Sequence, residues 1–447
     1  MTTDLFAKYD IAIPRYTSYP TVPQWQETPT RERWLGSIGT ALAGDSSLSL
    51  YMHVPFCESL CTYCGCNTVI TKNHGRDRAY VDLLLAELDL YVGALPALGG
   101  RPLRQLHLGG GTPTFLSPDD LAALLDGVAA RLPARDGRFE GSIEVDPRVT
   151  TPAHLDALGA HGITRVSMGV QDVAEEVQHL VNRHQPVETT AKLAAYARAH
   201  GYESVNFDLI YGLPGQTPAS MARLADVVLE LQPDRLAVYS FARVPWIKPQ
   251  QRKFRDDQIP VGAEKRALYD IIRTRLLAGG YEEIGADHFA RPADGLSRAA
   301  GDGSLHRNFM GYAELRTTTL LGLGVSAISE TPDCYHQNEK VLAHYERRVL
   351  AGEIPTLRGH VLTPEDARRR QQILNVMTSF HTRLDDREAA EALSVLKSFV
   401  DDGLVAIDDH ELRVLPAGRP FLRNVATFFD AYFQDTPPTG PLYSRAI

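Results

Sequence analysis

Residues 47–67 read SLSLYMHVPFCESLCTYCGCN. SLSLYMHV reads as a strand, and it runs directly into a loop carrying Cys57, Cys61, Cys64 and Cys66. Outward from this stretch the same order recurs. RQLHL, GSIEVD, ITRVSM, SVNFDLIY and DRLAVYS each read as further strands, with helical patterns such as 80–95, 119–132 and 220–231 between them. Repeated strand, helix, strand order implies parallel pairing with right-handed crossovers. The expectation is therefore an α/β fold of about six units, a partial parallel β/α barrel rather than a closed one of eight.

The flanks read differently. Residues 1–44, rich in Pro, Tyr and Thr, suggest an extended arm that packs on the barrel of residues 45–350. After Ala351 the pattern becomes helical with one hairpin-like stretch, GLVAIDDHELRVL, which predicts a smaller, mainly helical domain over 351–447. A chain of 447 residues has room for one large core and this second unit.

Composition excludes several function classes. A net charge of -9 with scattered Lys and Arg leaves no electrostatic footprint for nucleic acid. The start, MTTDLFAKYDIAIPRYTSYP, lacks a basic segment followed by an apolar one, and no later run approaches the roughly twenty apolar residues of a membrane span. A soluble, cytoplasmic protein with no membrane partner is expected. Five cysteines are too few for a disulfide framework, and four of them lie between positions 57 and 66, which argues for a metal or redox site in a reducing compartment.

Three thiolates close together in a loop at a strand's end can hold three irons of a four-iron cluster and leave the fourth open to an external ligand. Zinc competes, with His53 or Cys66 completing Cys57, Cys61 and Cys64, although the usual two separated pairs are missing. Cys334 stands apart and reads as a plain buried thiol. LHLGGGTPT ends the second strand with Gly109, Gly110 and Gly111, where a ligand can approach the backbone without meeting a Cβ. Glu144 and Asp146 in SIEVDP, Gln171 in SMGVQD, Arg183 in VNRH and Asp208 in NFDLIYGLPGQT lie at or just beyond strand ends. Carboxylates suit ribose hydroxyls and an ammonium, and Arg offers a fork to a carboxylate.

The spacing Cys-x-x-x-Cys-x-x-Cys resembles that of the radical S-adenosylmethionine (SAM) enzymes. PRYTSYPT, LYMHVPFC, CTYCGCN, LHLGGGTPT, SIEVDPR, SMGVQD, LVNRHQ, DLIYGLPGQT, DHFARP and LGLGVSAIS narrow the resemblance to the oxygen-independent coproporphyrinogen III dehydrogenases of haem biosynthesis. The resemblance implies one 4Fe-4S cluster on Cys57, Cys61 and Cys64, with two SAM molecules beside it. Tyr51, Tyr63, Gly110, Gly111, Thr112, Glu144, Gln171, Arg183, Asp208, Ala242 and Ile328 would line the cofactor sites, and Cys66 matches a cysteine that is not a ligand.

The reaction so implied converts two propionates of coproporphyrinogen III to vinyls, giving protoporphyrinogen IX through hydrogen abstraction by 5'-deoxyadenosyl radicals. A low-potential donor such as flavodoxin and an electron acceptor of unknown identity would be partners, and a monomer is expected. Basic and hydrogen-bonding groups for the substrate carboxylates are sought in Arg15 and Tyr16 of the arm and in His288 and Arg291 of DHFARP, with Arg307 of LHRNFMGY a weaker candidate. Two rivals share the barrel: a haem-binding chaperone without decarboxylase activity and a radical methyltransferase that opens haem. The arm and Cys66 favour the dehydrogenase.

Overall fold

The computed structural model describes residues 3–45, 47–435, 443 and 445. Twelve strands form one sheet: β1 (Leu48–Val54), β2 (Leu103–Gly110), β3 (Arg135–Val145), β4 (Ile163–Gln171), β5 (Ser204–Tyr211), β6 (Arg235–Ser240), β7 (Glu282–Ile284), β8 (His288–Ala290), β9 (Thr319–Leu323), β10 (Ile328–Thr331), β11 (Cys334–Asn338) and β12 (Thr356–Val361). Their spatial order is β12-β11-β10-β9-β1-β2-β3-β4-β5-β6-β8-β7. From β9 through β1 to β6 every pairing is parallel, and the pairings at both flanks are antiparallel. The protein is thus an α/β fold around a large, mostly parallel sheet.

Alternation along the strands decides what each face does. In β4, Val166, Met168 and Val170 join the main apolar core, while Arg165, Ser167, Gly169 and Gln171 point the other way; in β5, Val205, Phe207 and Leu209 alternate with Asn206 and Asp208. A parallel sheet covered by helices on both faces reads as near-continuous apolar runs, so this alternation marks one face as the wall of a polar cavity. The apolar face is covered by crossover helices. Pro218–Leu231 is typical: Thr217 caps it by accepting from the Ser220 amide at 3.1 Å, and Met221, Leu224, Ala225 and Val228 are buried at helical spacing. Such a cap contributes about 1 kcal/mol, and each buried leucine about 2 kcal/mol, so packing dominates.

The flanks depart from the sequence expectation in two ways. The arm is not extended throughout, because Arg31–Gly44 forms a helix capped by Thr30 that buries Trp34, Leu35, Ile38, Ala41 and Leu42. Those spacings place the apolar residues on one helical face against the main core. Earlier in the arm, Phe6, Tyr9, Tyr16 and Tyr19 enter a separate apolar cluster with Val376, Met377, Phe399, Phe421 and Phe429, so this part packs chiefly against C-terminal elements. Second, the main sheet continues past Ala351, since β12 pairs antiparallel with β11. Beyond it lie helices, among them Pro364–Ser379 and Asp386–Val395, and a hairpin of Val405–Asp408 with Glu411–Val414, joined by His381–Arg383 as a third strand.

Candidate active site

Parallel pairing brings the carboxyl ends of β1 to β6 to one edge of the sheet. A cavity of about 730 Å³ opens there, lined by Cys57, Cys61, Cys64 and Cys66 together with Gly110, Gly111, Thr112, Glu144, Gln171, Arg183, Asp208 and Ala242. The cysteine loop is tied down by main-chain bonds. A short parallel pairing of Phe56–Cys57 with Val69–Ile70 closes it, and the Thr62 amide donates to the Val181 carbonyl at 3.0 Å. Tyr63, packed against an apolar cluster with Val177, Val181 and Phe241, has its carbonyl held by Gln251 Nε2 at 3.0 Å.

The glycines after β2 are required by close approach. Gly110 has φ +116, and a Cβ there would lie 2.7 Å from the His53 ring; at Gly111 it would lie 2.5 Å from the Pro55 carbonyl oxygen. With no side chains in the way, the Gly110 amide donates to Glu144 Oε2 at 3.1 Å. His53 itself is fully engaged: Nε2 donates to the Asn67 carbonyl at 3.0 Å, so Nδ1 accepts from the Tyr51 hydroxyl at 2.9 Å. That pairing removes His53 as the fourth ligand of a zinc site. Among the described residues no three His, Cys, Asp or Glu side chains converge to hold a metal ion; the three thiols instead share a wall of the cavity.

Charge is arranged around Cys61. Arg183 Nη1 lies 3.6 Å and Arg148 Nη2 3.7 Å from its Sγ, and both guanidinium groups also bond Asp146, at 3.2 Å and 2.6 Å. Arg183 Nη2 donates to the Gly169 carbonyl at 2.5 Å, while its buried Nε has no hydrogen-bond partner among the described residues. Burial pushes the Asp146 carboxyl up, yet the arginines hold it below its ordinary value. Burial likewise raises the Cys57 thiol to about 11, whereas the Cys66 thiol and other neighbours bring Cys64 down to about 6.

The two inner carboxylates differ. Glu144 is raised by burial but held below its usual range by His107 and the Gly110 amide. Asp208, which accepts from Ser167 Oγ at 2.8 Å and Asn206 Nδ2 at 3.0 Å, is pushed up to about 6 by burial and by Glu144.

Some sequence candidates lie elsewhere. Tyr51 sits behind the wall, stacked on His107, and Ile328 at the start of β10 does not line the cavity. Tyr16 is buried with its hydroxyl donating to Asp430 Oδ2 at 3.0 Å, which makes it a pin within the arm's packing. Arg291 is at the wrong end of the sheet, its amide on the Asp234 carbonyl just before β6. Arg15 and His288 line the cavity, and with Arg307 they also line a second one beside it. Sequence reading passed over Arg148, His107, Ser167 and Asn206, although the alternate polar positions of β2, β4 and β5 carry the signal for the last three.

Comparison with known proteins agrees with this geometry. Residues 51–228 match the family model of the Radical SAM superfamily. The oxygen-independent coproporphyrinogen III oxidase of Escherichia coli (strain K12) is 41% identical over 444 residues, covering 96% of this chain and 95% of the relative. The proteins of the same name from Paracoccus denitrificans and Helicobacter pylori (strain ATCC 700392 / 26695) are 40% and 36% identical, with 95% and 96% of this chain covered and the same shares of the relatives. The solved structure of coproporphyrinogen III oxidase from Escherichia coli, described as a radical SAM enzyme, superposes with a TM-score of 0.88 at 41% identity, over 94% of this chain and 97% of that one. With relatives at this identity aligned almost end to end, the chain belongs to the oxygen-independent coproporphyrinogen III oxidase family of the Radical SAM superfamily.

Proposed function

We propose that the protein carries out the oxygen-independent oxidative decarboxylation of two propionates of coproporphyrinogen III, yielding the two vinyl groups of protoporphyrinogen IX. The observation that carries this reading is that the three thiols of the Cys-x-x-x-Cys-x-x-Cys loop, a glycine cradle and a row of polar strand ends line one cavity, beside a second cavity rich in arginine. The residues fit a 4Fe-4S cluster. Cys57, Cys61 and Cys64 would hold three irons, and Arg148 and Arg183 beside Cys61 would offset the thiolate charge. When bound, the cluster and SAM supply a 5'-deoxyadenosyl radical able to abstract hydrogen from an unactivated carbon.

The chain's own groups bind and orient. Glu144 and Asp208 face the cavity as acceptors for an ammonium or ribose hydroxyls, Gly110 and Gly111 let the ligand reach the main chain, and Arg183 is our candidate for the methionine carboxylate. Two SAM molecules, one for each propionate, and a non-ligand role for Cys66 belong to the same reading. Each propionate loses a β-hydrogen, carbon dioxide and one electron to become a vinyl, so the electron needs an acceptor and the cluster a low-potential donor of the flavodoxin type. The finer architecture we read as an arm, a partial barrel of six β/α units and a mainly helical C-terminal unit that begins after β12, in a monomer. No helix among the described residues is long and apolar enough to cross a membrane.

Anaerobic incubation of the reconstituted protein with coproporphyrinogen III, SAM and a reductant tests the proposal. The expected result is a tricarboxylic intermediate followed by protoporphyrinogen IX, with about two methionines formed per product, one for each radical abstraction. Porphyrin binding without decarboxylation would overturn it.

A further inference from the structure

The second cavity, of about 450 Å³, shares Arg15, Tyr239, Ser240, His288 and Met310 with the first. Its other walls come from helix Gly262–Ala278, from residues 307–311 and from the C-terminal stretch 416–423. Arg15, Arg266, Arg273, Arg307, Arg419 and Arg423 face Asp270, Glu283 and Asp287 across it.

Most of this charge is already matched. Arg266 pairs with Asp270 at 2.6 Å, Arg273 with Glu283 at 2.7 Å, and Asp287 takes His288 Nδ1 at 2.7 Å. Arg423 donates to the Ile13 and Pro14 carbonyls at 2.6 and 3.0 Å. Arg307 differs. Its side chain is only 8% exposed and lies 4.5 Å over the Tyr312 ring, with Nη1 at 3.9 Å from Asp287, too far for a hydrogen bond. Both Nε and Nη1 lack a hydrogen-bond partner among the described residues. Two unmade bonds on a buried guanidinium are costly unless a ligand completes them, and a carboxylate oxygen is the matching charge-assisted acceptor.

We propose that Arg307 grips a propionate that the reaction leaves intact, so that the second cavity holds the spared edge of the porphyrinogen while the reacting edge faces the cysteine loop. This rests on the decarboxylase reading and adds an orientation to it. A carboxylate that must depart as carbon dioxide gives up its charge, and a strong arginine pair would stabilise the ground state against that loss. A spared carboxylate keeps its charge in substrate, intermediate and product, and can be held with equal strength in all three. The two cavities share a wall, so one macrocycle with carboxylates on opposite edges can reach both.

The product's two propionates are the spared pair, which makes the test direct. Equilibrium dialysis of the anaerobic, reconstituted enzyme without reductant measures binding of coproporphyrin III, with four carboxylates, and protoporphyrin IX, with the spared two. Arg307→Gln should weaken both by the same factor, about tenfold for one charge-assisted pair, with cluster absorbance and SAM affinity unchanged. Arg307→Lys, which keeps the charge and fills similar space, should weaken both equally and by less. If only coproporphyrin affinity falls, Arg307 holds a reacting carboxylate and the orientation is overturned. If neither falls, the second cavity is not a substrate site. A parent enzyme that binds neither porphyrin and forms no protoporphyrinogen would sink the functional reading itself, and this inference with it.

Discussion

The cavity at the cysteine loop and the arginine-lined cavity beside it share five residues but not an origin. The first is assembled from the ends of consecutive strands, and its geometry is inherited from the parallel ladder: Gly110, Glu144, Gln171 and Asp208 come together because β2, β3, β4 and β5 lie side by side. The second joins the arm, helix Gly262–Ala278, a hairpin of His306–Asn308 with Gly311–Ala313 and the C-terminal unit; the arm and the C-terminal unit meet through the apolar cluster around Phe421 and through Arg423 holding the arm's carbonyls. A site built on a ladder is fixed by many cooperative main-chain bonds. One built between units depends on a few side-chain contacts, and the two should therefore fail separately.

The largest effect is expected at the thiols. Cys57→Ser, Cys61→Ser or Cys64→Ser should remove nearly all cluster absorbance after anaerobic reconstitution, while Cys66→Ser keeps it, as iron and sulfide analysis would check. Porphyrin affinity should survive these changes if the second cavity is independent. Stoichiometric zinc in place of iron would favour the zinc reading instead.

Next is Arg183→Lys, which retains charge beside Cys61 but loses the fork. SAM affinity should fall by roughly 1 to 3 kcal/mol, the worth of a charged hydrogen bond, with iron content unchanged. Unaltered affinity would restrict Arg183 to Asp146, Cys61 and Gly169, the partners it has in this structure.

Arg423→Ala tests the other side of the comparison. Losing the bonds to Ile13 and Pro14 should cost about 1 to 2 kcal/mol and speed proteolysis within the arm. Porphyrin binding should weaken several-fold, in the sense expected for a loosened wall, while SAM binding holds. Equal loss of both would mean that the cavities are one cooperative unit.

The smallest effect is one of pH. Because burial raises Asp208 to about 6, its carboxyl is neutral below that pH and ionised above it. SAM affinity should rise by a factor of a few, an order-of-magnitude figure, between pH 5 and 7 as the charged acceptor appears, and Asp208→Asn should flatten the profile. Without ligand the sign is opposite: the folded chain keeps the proton longer than the unfolded one, so Asp208 makes stability decline as pH rises from about 4 through 6.

The sequence by itself determined the strands and crossover helices, and hence a mostly parallel α/β sheet, because these follow from local periods of two and 3.6 that each segment carries alone. It also determined that the cysteine loop, the glycine triplet, Glu144, Gln171 and Asp208 belong to strand ends, which parallel pairing then collects at one edge. Only the tertiary structure decided the rest. Nothing in PRYTSYPT says that Arg15 turns toward Ser240 while Tyr16 is buried on Asp430. Nothing in DHFARP separates His288, at the cavity, from Arg291, at the far end of β6. The helix over Arg31–Gly44 was likewise concealed by the Pro-rich residues before it. Arg266, Arg273 and Arg423 read as ordinary charged residues on their own elements, and they join Arg15 and Arg307 in one basic cavity only when distant segments pack. The physical reason is one of range: hydrogen-bond periods are written within a few neighbouring residues, whereas the meeting of the arm and the C-terminal unit is set by burial of apolar surface between segments hundreds of positions apart.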